Sequence, residues 1–170
     1  PVVRRCWSLR GQRPVAPYQT QYEWAYLYSA LEVDGDHAAQ FLCLPEVNLG
    51  MSRLFLEHLA ARDPEAEHGV LWDQAGFHPA AGSPELPARI HWIALPPYRP
   101  ELNPVAAIGD LIKDRIANTL WHTLESLEQA LEEELRPLDE SAARVRRLVS
   151  HPWLVQQVNA IAAENSAITN

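Results

Sequence analysis

Gly69-Val70-Leu71-Trp72-Asp73 and, further on, Ile90-His91-Trp92-Ile93-Ala94-Leu95 running into Pro96-Pro97 are the two short apolar runs whose reading decides the fold. Each is shorter than a stable helix and is bounded by turn-forming residues, so each is expected to be a buried strand. Asn103-Pro104 then opens a helix, because Asn caps orphan amides and Pro suits the first helical position. Val105, Ile108, Ile112 and Ile116 recur at helical spacing and form its expected buried stripe. Strand, loop, strand and helix in this order point to an α/β protein. Asp73 then stands at the C-terminal end of a strand, where α/β proteins place their ligands. Taken alone, the same carboxylate also suits a residue that caps the next turn.

Upstream, Tyr22, Trp24, Tyr26 and Tyr28 alternate, which is strand periodicity in strong β formers. Both faces of this run are apolar, so the strand is expected to be covered on both sides. Asp34-Gly35-Asp36 is turn chemistry and Ala38–Pro45 returns as a second strand, making a hairpin. Residues 48–61 change period, with Met51, Leu54, Phe55 and Leu59 on one helical face. Thr123 caps a helix carrying Leu124, Leu127, Leu131 and Leu135, and Pro137 is expected to end it. Asp139 is expected to start another helix, through Val149, and His151-Pro152 a last one with Leu154, Val158 and Ile161 inward. A short strand is also expected at Val2–Trp7. The divisions read as a basic arm (1–20), a core (21–118) and a helical C-terminal tail of the same domain (119–170).

The 170 residues are 47% hydrophobic and 21% charged, an ordinary globular composition. No apolar run reaches the roughly 20 residues that span a bilayer, and no signal peptide is visible, so a cytoplasmic protein without membrane contact is expected. Cys6 and Cys43 make no disulfide framework and no metal pair, and both are expected to be buried or half-buried thiols. The six tryptophans are expected in the core, with a stacking role on nucleic acid as the alternative for Trp7. The net charge of -8 excludes a polycation, but charge is unevenly placed. Arg4, Arg5, Arg10 and Arg13 all precede the first acid, Glu23. Arg144, Arg146 and Arg147 form a second basic group, and acids gather between Glu125 and Glu134 as a solvated helix face.

Two blocks carry a resemblance. Trp72, Asp73, Gly76 and His78 form the first; Leu95, Pro96, Pro97, Tyr98, Pro100, Glu101, Leu102, Asn103 and Pro104 form the second. Together with the Arg10–Pro14 arm and the aromatic strand they resemble DDE-superfamily transposases, specifically the mariner-like transposases of bacterial insertion sequences. The resemblance implies a ribonuclease H-like mixed sheet flanked by helices. It implies DNA strand cleavage and transfer with Mg²⁺ or Mn²⁺ held by three acidic residues, Asp73 among them as catalytic and metal-binding. His78 and Asn103 would lie beside that site, and DNA (transposon ends and target) would be the partner. Zinc has little support without a Cys pair or closely spaced histidines.

Two of the three acidic positions depart from the family. The strand bearing the first Asp, central in the family's sheet, would lie upstream of Pro1, so it is expected to be missing from the sheet. The family's Glu after Asn-Pro-x is Ala106 here, which has no ligand atom. Asp110, one turn on, is the nearest substitute on the same helix face but lies about 6 Å further along the axis; Glu101 matches a loop position. A truncated, degenerate and catalytically defective copy is therefore expected. The alternatives are a non-catalytic module that binds DNA through Arg4, Arg5, Arg10 and Arg13 or pairs with itself or an intact transposase, and an unrelated metal hydrolase built on Asp73 and His78.

Overall fold

Tyr26–Leu31 (β1) and Ala39–Leu44 (β2) pair antiparallel, with Tyr26 opposite Leu44 and Leu31 opposite Ala39. The turn between them needs left-handed backbone, which Gly35 (φ 97°) and His37 (φ 55°) supply. Glu32 closes it, donating its amide to the Ala38 carbonyl and accepting the Ala38 amide on its carboxylate. The computed structural model describes residues 4–15, 23–33, 35–97 and 102–149, together with 152, 153, 155–157, 159, 160 and 163.

Helix α1 (Leu49–Ala60) follows, capped by Asn48, whose side-chain oxygen accepts the Met51 amide at 2.9 Å. His68–Trp72 (β3) and Ile90–Ala94 (β4) then pair in parallel. Helices α2 (Val105–Ile116), α3 (Leu124–Asp139) and α4 (Ala142–Val149) complete the order. Among the described residues the strands form two two-stranded sheets, and no ladder joins the hairpin to the parallel pair.

Side-chain alternation nevertheless places both sheets in one layer. Leu27 and Leu31 of β1 and Leu71 of β3 pack on a cluster built from Ile108, Ile112, Leu131, Leu135, Leu138, Val145 and Val149. Tyr28 of β1, with Val70 and Trp72 of β3, packs on Phe55, Leu56 and Leu59 of α1. Helix α1 thus covers one face, and α2, α3 and α4 cover the other. Both faces of β1 are covered from Leu27 to Leu31, whereas Tyr26 at its start is 38% exposed.

Several expectations change. The regular part of the aromatic strand starts at Tyr26; Trp24 precedes it and is exposed, and Tyr22 and Asp34 lie outside the described residues. On α1 the buried stripe is Ser52, Phe55, Leu56 and Leu59, while Leu54 is 45% exposed. The stripe turns because Ser52 faces inward, its hydroxyl satisfied by a backbone carbonyl. Helix α3 runs through Pro137 to Asp139. Burial of Leu135 and Leu138 offsets the one hydrogen bond that Pro cannot donate. Asp139 therefore closes α3, and Ser141 begins α4, its carbonyl accepting the Arg144 and Val145 amides. Thr123 caps α3 as expected, in a reciprocal pair with Ser126. Ile108 and Ile112 are the buried part of the α2 stripe.

Residues 4–7 are not a strand, and Val2 and Val3 lie outside the described residues. Arg4 to Val15 are all exposed, which takes Cys6 and Trp7 out of the core; Cys43 is half-buried. Trp153 is also exposed, and Trp72, Trp92 and Trp121 are half-buried. The described residues of the last expected helix, Pro152, Trp153 and Gln156 among them, are helical; Leu154, Val158 and Ile161 lie outside the described residues.

Candidate active site at the end of the parallel strand pair

Asp73 directly follows β3, and the Leu95 amide donating to the Trp72 carbonyl carries the pairing to that point. The carboxylate is 61% exposed. Its Oδ1 accepts the Ala75 amide at 3.0 Å, which folds the chain back in a tight turn. It also lies 2.7 Å from His78 Nδ1, and the same nitrogen lies 3.0 Å from the Asp73 carbonyl. Both neighbours of Nδ1 are oxygens, so this nitrogen carries the proton and donates to them. No partner of Oδ2 occurs among the described residues.

His78 is held from every side. Its imidazole is 7% exposed, stacks on Trp72 at 3.9 Å between centroids and meets the edge of Phe77 at 4.5 Å. Burial pushes its pKa below the ordinary value, against the smaller upward pull of the Asp73 carbonyl and carboxylate. The contact with Asp73 is thus a hydrogen bond from a neutral ring at neutral pH. Beneath it, Ser52 of α1, fully buried, donates its hydroxyl to the Phe77 carbonyl at 2.6 Å. The loop Asp73–His78 is tied to its own strand, to α1 and to itself.

The start of α2 lies at the same end of the parallel pair. Leu102 and Leu95 are buried together, with Leu71 and Ile93 against them. Asn103 Oδ1 accepts the Val105 amide at 3.1 Å and the Asn103 carbonyl accepts the Ala106 amide, a tight turn just ahead of the helix. The cap position is Pro104, which has no side-chain donor or acceptor, so the helix starts one residue later than expected. Ala106 is exposed in the first turn and offers only a methyl group. Glu101 lies outside the described residues.

The remaining candidates separate from this end. Asp110 faces Arg4, whose guanidinium lies 3.7 Å from Asp110 and 3.2 Å from Asp114. The Asn118 side chain, on a residue with φ 58°, accepts the Arg4 amide and donates to the Arg4 carbonyl, both at 3.2 Å. Arg4 is thereby fixed to α2. Arg5, Arg10 and Arg13 are exposed and in no ion pair among the described residues. No group of three potential metal-ligating side chains occurs among the described residues.

Sequence reasoning missed Ser52, Phe77 and Asn118. Only Ser52 left a signal: a hydroxyl on the stripe otherwise formed by Phe55, Leu56 and Leu59 needs a buried partner.

No helix among the described residues is long and apolar enough to cross a membrane. No solved structure matches the chain. A protein of Sinorhizobium fredii (strain NBRC 101917 / NGR234), named Uncharacterized protein y4pE/y4sA, is 26% identical over 137 residues, which are 79% of this chain and 93% of that protein. Residues 1–128, most of the chain, match the family described as DDE superfamily endonuclease. With Asp73 at the end of a parallel strand and the start of α2 beside it, the chain belongs to the DDE superfamily endonuclease family.

Proposed function

We propose that this chain is a ribonuclease H-like transposase domain of the insertion-sequence kind that no longer cleaves DNA, and that its remaining work is to bind DNA or transposase subunits. The observation that carries the reading is Ala106. It occupies the first turn of α2, at the position where the resemblance expects a metal-binding Glu, and it has no oxygen to offer. Asp110 is an unsuitable substitute because it lies one turn further along α2, facing Arg4 at 3.7 Å. Among the described residues at this end, Asp73 Oδ2 is the carboxylate oxygen left without a partner, and one carboxylate cannot by itself hold and dehydrate a pair of Mg²⁺ or Mn²⁺ ions. The parallel pairing of β3 with β4, with α1 on one face and α2 to α4 on the other, supports the fold reading.

The chemistry left to the site is positioning. His78 donates to Asp73 and the Ala75 amide does the same, so the carboxylate is oriented without a metal. Arg5, Arg10 and Arg13 are exposed cations suited to DNA phosphate. The test is a nicking assay on supercoiled and linear DNA in Mg²⁺ and in Mn²⁺, run beside a DNA-retention assay across a salt series. Retention without nicking is expected. Metal-dependent nicking that Asp73→Asn abolishes would overturn the proposal.

A further inference from the structure

Edge strands are normally blunted by a charge, a Pro, a bulge or a covering segment. Strand β2 has none of the first two: Ala39-Gln40-Phe41-Leu42-Cys43-Leu44 carries no charge and no Pro. Among the described residues it pairs only with β1. In an antiparallel pair the backbone groups of alternate residues point away from the partner. The Glu32 amide donates to the Ala38 carbonyl, so Gln40, Leu42 and Leu44 turn toward β1 and Ala39, Phe41 and Cys43 turn outward. Arg62 reports the same orientation, since it donates to the Ala39 carbonyl at 3.3 Å. The outward amides and carbonyls of Phe41 and Cys43 have no partner among the described residues.

This edge opens into a cavity of about 990 Å³, lined by Gln40–Cys43, with α3 as one wall and the end of α1 as the other. The two walls differ in charge. Glu125, Glu128 and Glu132 recur at helical spacing along the α3 wall. Arg136 meets Glu132 at 3.1 Å, whereas Glu125 and Glu128 have no cation among the described residues. The Glu128 charge reaches the floor: burial raises the Cys43 thiol pKa first, and Glu128 raises it further. The α1 wall offers Ala61 and Arg62, whose guanidinium lies 3.6 Å from Asp139. Leu131 and Leu135 add apolar surface beside Phe41 and Cys43.

We propose that this groove takes an extended segment of a different protein as a strand beside β2, with arginine or lysine at alternate positions and apolar residues between them. Phe41 and Cys43 supply the ladder, and the walls supply the selection. Strand side chains alternate, so one set faces α3 and the other faces α1. The set facing α3 meets Glu125 and Glu128 and is cationic. The set facing α1 meets Ala61 and Arg62, which leaves room for small apolar side chains and none for a second cation. Pro45, the next outward residue, has no amide hydrogen and ends the ladder. The acids of α3 repel an anionic strand or a nucleic-acid backbone. Among the described residues this chain holds no extended run of that pattern: its basic arm is bent where the Gln12 amide donates to the Leu9 carbonyl, and Arg144, Arg146 and Arg147 lie on α4. The groove shares no lining residue with the Asp73 end, so peptide binding neither needs nor opposes DNA retention.

The probe is a fluorescent hexapeptide of alternating arginine and valine, blocked at both ends and titrated with the chain by anisotropy. Binding is expected, weaker as salt rises. The same peptide with methylated backbone amides cannot donate to the ladder and should bind about tenfold weaker or worse. Glutamate in place of arginine should weaken binding by about tenfold or more, and so should Glu125→Lys with Glu128→Lys against the parent peptide. An unchanged urea midpoint establishes that this variant is folded, and the methylated peptide decides the matter if it is not. In hydrogen exchange read by NMR, the peptide should slow the Phe41 and Cys43 amides and leave Leu42, which already donates to β1, unchanged. Absence of binding overturns the proposal. Equal binding of the methylated peptide overturns it too, because only charge attraction is then left. So does binding by a folded variant indifferent to the reversal, protection confined to other elements, or displacement of the peptide by DNA. Phe41 and Cys43 amides already slow in the chain alone, together with a concentration-dependent dimer, would give the groove to a second copy and overturn it as well.

Discussion

Ser52 Oγ and the Phe77 carbonyl, 2.6 Å apart, join the buried face of α1 to the loop that begins at Asp73. Ser52→Ala leaves that part-buried carbonyl without its donor. It should cost about 1–3 kcal/mol, read from urea unfolding. The same variant should let His78 titrate closer to an ordinary histidine in an NMR pH series, because the ring loses its fixed place on Trp72.

His78 sets a direction for the pH dependence of stability. Its folded pKa lies below the ordinary value, with burial as the larger cause. Over the interval between the folded value and about 6.5, the unfolded chain binds more protons than the folded one. Stability is therefore full above that interval and falls as pH drops through it. Unfolding midpoints between about pH 7 and 5, compared with His78→Gln, should show the unaltered chain losing more on acidification. A gain on acidification would mean that the Asp73 charge, not burial, governs the ring.

Phe55 is the rivet of the α1 face. Its ring lies 5.5 Å from Tyr28 and 6.4 Å from Trp72, touching one strand from each sheet. Phe55→Ala should cost about 3–5 kcal/mol. Leu54→Ala, on the exposed side of the next residue, should stay within about 0.5 kcal/mol. Equal losses at the two positions, in urea titrations, would contradict the burial described for α1.

Asn118 holds Arg4 from a left-handed backbone position. Asn118→Gly keeps that conformation and removes both hydrogen bonds, whereas Asn118→Ala removes the bonds and adds strain. Both should speed tryptic cleavage at Arg4 and Arg5. Only the alanine variant should also lower the global unfolding midpoint noticeably.

What the sequence disclosed and withheld follows from the range of the forces involved. The Thr123 cap, the hairpin and both parallel strands rest on neighbours within a few positions, so local pattern revealed them, and it placed the start of α2 to within one residue. Asp73 and His78 were legible as a pair for the same reason. Pro137 misled because burial of Leu138 outweighs a local rule. Leu54 misled because a helical stripe can rotate by one position and keep its period, and the buried Ser52 decides which way it turns. Cys6 and Trp7 misled because composition says what would gain from burial, not what covers it. The bond from Asn118 to Arg4 spans 114 positions, and no periodicity reaches that far.

Among the described residues no ladder joins the hairpin to the parallel pair, and this changes how strain moves between them. A continuous sheet passes a shear from strand to strand through its hydrogen bonds. Here the described route from β1 to Asp73 is a relay of rings, Tyr28 to Phe55 to Trp72 to His78. Ring contacts resist compression but tolerate sliding and tilting, and narrow ribbons twist more freely than wide sheets. The hairpin and the carboxylate are thus coupled like two plates on a greased bearing: a push on one reaches the other, and a rotation largely does not.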